Sequence, residues 1–187
     1  MFKNIVSSLF ALVAAPGKAW QSISSKEESQ AMFLNGYLYP IMGITALSVF
    51  VNLLNDQFTL EKALKLMTID FVKFFVGFYI ASFLIDELLQ KFFDREKNPK
   101  QVQLFVGYTL SVYMLITIFL NLFMGMFSFL RFAPLYIIYV IWEGSKYYMD
   151  INENKRLMFV VLSSLILIFS PDIIERFMFI LMPGLGN

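Results

Sequence analysis

Between Leu104 and Phe129 the chain runs without one charged residue, and this stretch narrows its possible folds more than any other feature. Crossing a hydrocarbon core of about 30 Å takes about 20 helical residues, so a run of this kind is a candidate transmembrane segment. Four further apolar stretches approach or exceed that length: residues 36–54, closed by Asn55-Asp56-Gln57; 66–89; 132–149; and 157–182, with Pro171 inside it. In lipid, backbone polar groups must pair within their own segment, so such stretches fold as helices. Composition agrees. Hydrophobic residues make up 58% of the chain, and 187 residues offer too little interior to hide 22 Phe, 9 Tyr and 2 Trp from water. The expected fold is all-α: a polytopic transmembrane helical bundle of five spans within residues 36–187, preceded by an arm over residues 1–35.

In that arm Phe2, Ile5, Val6, Leu9, Phe10 and Val13 recur at helical spacing. This pattern predicts an N-terminal amphipathic helix lying on the membrane face, with Trp20 and Ile23 continuing the interfacial contact. The alternative is a signal peptide, against which Ser7 and Ser8 interrupt the apolar run. Sidedness follows from the basic residues between spans. Lys3, Lys18 and Lys26 in the arm, Lys91, Arg95, Lys97 and Lys100 after the second span, and Lys146, Lys155 and Arg156 after the fourth outnumber Lys62, Lys65 and Arg131 on the opposite side. The N-terminus is therefore expected in the cytoplasm and, with an odd number of spans, the C-terminus outside.

The absence of both cysteine and histidine excludes disulfides, thiolate chemistry, His-ligated haem and a catalytic His base, and nearly every zinc site. No phosphate-binding glycine loop, nucleophile elbow or H-E-x-x-H motif occurs. A net charge of +1 supplies no field to recruit nucleic acid. The chain is thus expected to be neither an enzyme nor a metal or cofactor protein.

Charged residues inside spans are costly and need partners. Asp70 and Lys73, three apart on one helix face, can pair with each other near the outer end or form a polar site lining a cavity. Glu143 with Lys146 at i+3 is either an ion pair near the inner boundary or a buried carboxylate engaged in ion or proton movement. Asp86 and Glu87 read as a solvated helix end. Ser170-Pro171-Asp172 is expected to break the last span into a hinge with a wet outer end, or into a broken helix facing a substrate. A short likeness between Phe75-Val76-Gly77-Phe78 and Phe105-Val106-Gly107-Tyr108 would fit an inverted repeat but equally a coincidence among apolar helices.

Several loose motifs in a fixed order resemble the Yip family, the Ypt-interacting proteins and their bacterial relatives. Pro16 and Trp20 in Pro-x-x-x-Trp-x-x-Ile match its entry segment, and Pro40 matches the proline opening its first span. Gly107 and Tyr108 match the start of its third span, and Tyr136, Tyr139 and Gly144, with Lys146 and Met149, its fourth-span pattern. The resemblance implies five spans and a cytosolic N-terminus. The eukaryotic Asp-Leu-Tyr-Gly-Pro motif is absent, Val112 stands where a proline would fall, and Glu143 occupies a usually apolar position. These departures point to a prokaryotic-type member in a bacterial inner membrane.

The expected role is non-catalytic: organising the bilayer, or acting as a scaffold or adaptor for other membrane proteins or for copies of itself. The competing expectation is a small-solute or ion transporter using Glu143 with Asp70 and Lys73. The expected partners are the lipid bilayer and membrane proteins, without nucleic acid or cofactor.

Overall fold

A computed structural model of the chain describes residues 2–26, 28–123 and 128–182. Met1 and Glu27 of the arm, residues 124–127 of the expected third span and residues 183–187 lie outside the described residues. Eight α-helices carry the fold: α1 (Phe2–Ala14), α2 (Pro16–Ser24), α3 (Gln30–Phe33), α4 (Tyr39–Ser48), α5 (Leu60–Phe93), α6 (Pro99–Leu122), α7 (Tyr136–Tyr147) and α8 (Glu153–Leu181). Among the described residues, four helical stretches are long and apolar enough to cross a membrane: Gln30–Leu54, Leu60–Phe93, Pro99–Leu122 and Glu153–Leu181.

Local chemistry sets the helix ends. Thr59, Asn98 and Asn152 each accept a backbone N–H from the first turn of α5, α6 and α8, satisfying a donor the helix cannot. Pro99 then opens α6, where a missing N–H costs nothing. At the other end of α5, Asp94 takes a left-handed backbone (φ 53°) and the chain turns. The first long stretch is not uniform. A π-helical turn over Leu34–Leu38 precedes Pro40, and the widened turn accommodates a residue that can neither donate nor tolerate the carbonyl four places back. Pro40 therefore stands in the first turn of α4, ten residues into the helical stretch Gln30–Leu54.

Contacts along the helices fix their directions. Gln30 bonds Gln103, and Ser48 meets Asn121, so the first stretch runs parallel to α6. Lys73 meets Glu175, Gly77 faces Pro171 and Phe93 packs on Phe159, so α5 and α8 are antiparallel. One end of the bundle, here the arm end, gathers Gln30, Arg95, Gln101 and Tyr148. The far end gathers Ser48, Asp70, Asn121 and Glu175. The chain leaves Asn121 at the far end and is back at the arm end by Tyr148, whose carbonyl accepts from Gln101 at 2.9 Å. This return includes a 3₁₀ stretch, Ser128–Leu135, leading without a gap into the short α7. One uninterrupted helix was expected over 132–149. The difference traces to Pro134, which cannot supply the backbone donor an α-helix needs there.

The expected break at Ser170-Pro171-Asp172 is also absent, since α8 continues through Pro171 to Leu181. Pro171 instead faces Gly77 so closely that a Cβ on Gly77 would lie 3.2 Å from the proline nitrogen. The core holds Trp20, Phe33, Phe74, Phe78, Phe105 and Phe159, each under 2% exposed. Phe83, Phe169 and Ile180 stand on the outside at 63%, 52% and 78% exposure. An exterior this apolar is what hydrocarbon solvates and water does not.

Candidate functional site

Two buried clusters occupy opposite ends of the bundle. At the arm end, α1 sets Ile5, Leu9 and Leu12 inward and leaves Val6 and Phe10 outward, so both of its faces carry apolar side chains. Its partner α2 inserts Trp20 completely, with no exposed surface, and Ile23 nearly so. Hydropathy alone suggested interfacial positions for both. The Trp20 indole N–H donates to the Val140 carbonyl of α7 at 2.9 Å, and its ring packs against Phe105, Tyr108 and Tyr148 with centroids 5.3–6.1 Å away. Tyr136 donates its hydroxyl to the Val13 carbonyl at 2.7 Å, tying the end of α1 to the start of α7.

Two glycines make this cluster possible. A Cβ on Gly107 would stand 2.5 Å from the Phe33 ring, and one on Gly144 would stand 2.8 Å from both Trp20 and Phe105. Neither position has room for a side chain. Phe33, Tyr37 and Tyr108 form a ring triad with centroids 4.7–5.6 Å apart. Tyr108 also donates to Glu28 at 2.8 Å, and Tyr37 pairs with Ser111 at 2.8 Å. Trp20, Gly107, Tyr108, Tyr136 and Gly144 thus converge on one joint between arm, α6 and α7, and Pro16 opens α2, the helix that carries Trp20 into it. Tyr139 and Pro40 stand apart from it. The Tyr139 ring lies edge-on to Tyr136 but is 48% exposed, and Pro40 follows the π-helical turn.

Glu143 belongs to the same joint. Its Oε2 lies 2.6 Å from where a Cβ on Gly17 would stand, beside the first turn of α2. That turn has no side-chain cap from Ala15, and its amide groups carry partial positive charge. The carboxylate packs beside that turn. Lys146 turns instead toward the Tyr147 ring, at 4.8 Å from its centroid, and among the described residues no ion pair joins it to Glu143.

At the far end Asp70 and Lys73 pair at 2.7 Å, and both are buried, at 7% and 6% exposure. Glu175 approaches the same ammonium at 3.4 Å. Asn121 donates to Asp70 at 3.3 Å and to Ser48 at 2.9 Å, while Tyr113 donates to Asp172 at 2.7 Å. The Lys73 stem does not reach out of the bundle; its charge is met inside. Asp172, expected at a wet hinge, lies half-buried beside this cluster.

Sequence reasoning placed Asp70 with Lys73 because the two lie one helical turn apart. It missed Asn121, Ser48, Tyr113 and Glu175. Asn121 carried a legible signal, as an amide within the charge-free third stretch. Phe33 and Phe105 carried none, because aromatic residues are everywhere in this chain, and Glu28 sits in a polar, charged stretch where one carboxylate does not stand out.

Fold and clusters define an all-helical integral membrane protein whose recognisable motif positions build an arm–bundle joint. The chain belongs to the Yip family: the Yip1 domain model matches residues 10–171, from within α1 to Pro171 of α8. No curated protein and no solved structure matches it.

Proposed function

We propose that this chain is a non-catalytic, five-span organiser of its membrane, acting as a scaffold or adaptor for other membrane proteins or for its own copies. The observation that carries this reading is the joint itself. Trp20 of α2 is fully buried, bonded to Val140 of α7 and packed on Phe105 of α6, and this packing use of a motif residue supports a structural arm rather than a reacting site. The contacts at the two ends support five passes. Ser128–Leu135 at about 2.0 Å per residue, then Tyr136–Tyr147 at about 1.5 Å, rise about 34 Å together, enough for a fourth crossing. Lys26, Lys91, Arg95, Lys97, Lys100, Lys155 and Arg156 cluster toward the arm end, which supports that end as the cytoplasmic one and the C-terminus as outside, in a bacterial inner membrane.

Photo-crosslinking groups at exposed Tyr139 and Trp142 on α7 test the scaffold. Crosslinks to a second copy or to another membrane protein are expected; adducts with lipid alone would count against the role. The cysteine-free sequence makes sidedness simple to measure. Single cysteines at Ser22 and Gln57 should label from opposite faces of the membrane, and labelling from one face would remove the topology.

A second reading, a small-solute or ion transporter, draws on the buried Asp70–Lys73–Glu175 group with Tyr113–Asp172 beside it. Glu143 lies at the other end and is not part of it. Reconstituted vesicles would show flux that Asp70→Asn abolishes. Absence of flux across a broad solute panel would leave the cluster a structural one.

A further inference from the structure

A cavity of about 300 Å³ opens at the arm end, where α2 passes the first turn of α6. Buried Ile23 and Leu104 form its apolar lining; Lys26 and Lys100, both exposed, supply its charge. Neither lysine forms an ion pair among the described residues. Glu28 also lines the cavity, with its carboxylate engaged by the Tyr108 hydroxyl. Asn98, also in the lining, caps the Gln101 amide and donates its own backbone N–H to Asp86 at 3.2 Å.

We propose that this cavity binds a phosphodiester, with the Lys26 and Lys100 ammonium groups around the phosphate and Ile23 and Leu104 against the ester's carbon chain. The charge selects the form of the ligand. Two ammonium groups against one carboxylate leave a single surplus positive charge, which matches a singly charged diester better than a doubly charged monoester. The volume is at the low end for small-ligand cavities, sufficient for a headgroup and not for acyl chains, which would lie outside along the bundle. Two lysines that hold no ion-pair partner among the described residues, in a concave site at the end of a membrane bundle, are what a headgroup phosphate requires.

The test uses the full chain purified in neutral detergent, with native mass spectrometry of lipid adducts. Dioleoylphosphatidylglycerol competes at equal concentration with a glucosyl diacylglycerol, which has the same chains and no phosphate. Wild type should retain the phosphatidylglycerol about tenfold over the glycolipid, as two charge-assisted contacts allow. Lys26→Gln with Lys100→Gln should bring the ratio to within about twofold, whereas Glu28→Gln, which removes the opposing charge, should raise it. Lys18→Gln with Lys91→Gln, exposed lysines outside the cavity, should leave the ratio unchanged. No preference in wild type, an unaltered preference in the Lys26/Lys100 variant, or an equal loss in the Lys18/Lys91 variant would overturn the site. Soluble glycerophosphoglycerol separates the sources. If it displaces the lipid, the site takes the diester itself, free or lipid-borne; if it does not, the acyl chains are required and the ligand is a phospholipid.

Discussion

The arm end and the far end of the bundle solve opposite problems. At the arm end a segment with little independent core is locked in by shape: Trp20 fills the space that Gly144 leaves open, and Phe33 the space left by Gly107. Its hydrogen bonds, Trp20 to Val140 and Tyr136 to Val13, run from side chains to backbone carbonyls and set orientation. At the far end charge has to be neutralised in a medium that solvates none of it, and Lys73 is enclosed by Asp70 and Glu175 with Asn121 completing the first carboxylate. Aromatic packing tolerates no added volume, whereas an ion cluster tolerates no missing partner.

The contrast can be broken most severely at Trp20. Trp20→Ala removes a fully buried ring and its bond to Val140, and should lower stability by about 3–5 kcal/mol, read from unfolding in mixed detergent micelles. The arm should become protease-sensitive in the same variant; an arm that stays protected would mean the joint is not held by this side chain. Next comes Lys73→Met, which strands Asp70 and Glu175 and should cost about 3 kcal/mol. Adding Asp70→Leu to Lys73→Met should recover most of that loss, because a well-packed apolar pair no longer needs neutralising. A double variant as unstable as the single one would contradict a purely structural role for the charges. Gly107→Ala should cost about 1–3 kcal/mol by driving a methyl group into Phe33. The same substitution at Gly36, where a Cβ meets nothing within 4 Å, should cost far less. Smallest is Tyr108→Phe, which keeps the ring triad and drops only the bond to Glu28; a loss of about 1 kcal/mol in the same unfolding assay is expected.

Much of the fold was legible because hydrocarbon imposes one requirement, an apolar run long enough to satisfy its own backbone. Residues 66–89 lie inside α5, which extends further at both ends, and 157–182 follows α8 to its C-terminal cap while α8 itself starts earlier, at Glu153; the added turns carry polar caps and charged helix-forming residues that hydropathy discounts. Residues 132–149 misled because hydropathy does not register a proline: Pro134 leaves the segment as apolar as an α-helix while changing its winding. Pro171 misled in the other direction, since proline in a helix reads as a break. Against Gly77 it is a packing surface, and neighbouring helices keep α8 continuous. The site was harder. Asp70 and Lys73 could be paired from spacing alone, and that pair is present at 2.7 Å. Glu143 and Lys146 have the same spacing, yet the carboxylate lies beside Gly17, on a segment more than a hundred residues away, while Lys146 turns to the Tyr147 ring, and the two side chains part.

The amino-acid sequence by itself determined the solvent, the helical state and the family. Each depends on local composition or on motif order, and neither changes with how the helices assemble. Tertiary structure alone decided the company each polar group keeps. Lys73 meets Glu175 and Trp20 meets Val140 only because antiparallel packing and a returning arm set distant turns at the same depth. Such pairings depend on register between helices, and register follows from where glycines let backbones approach, a property no single segment contains.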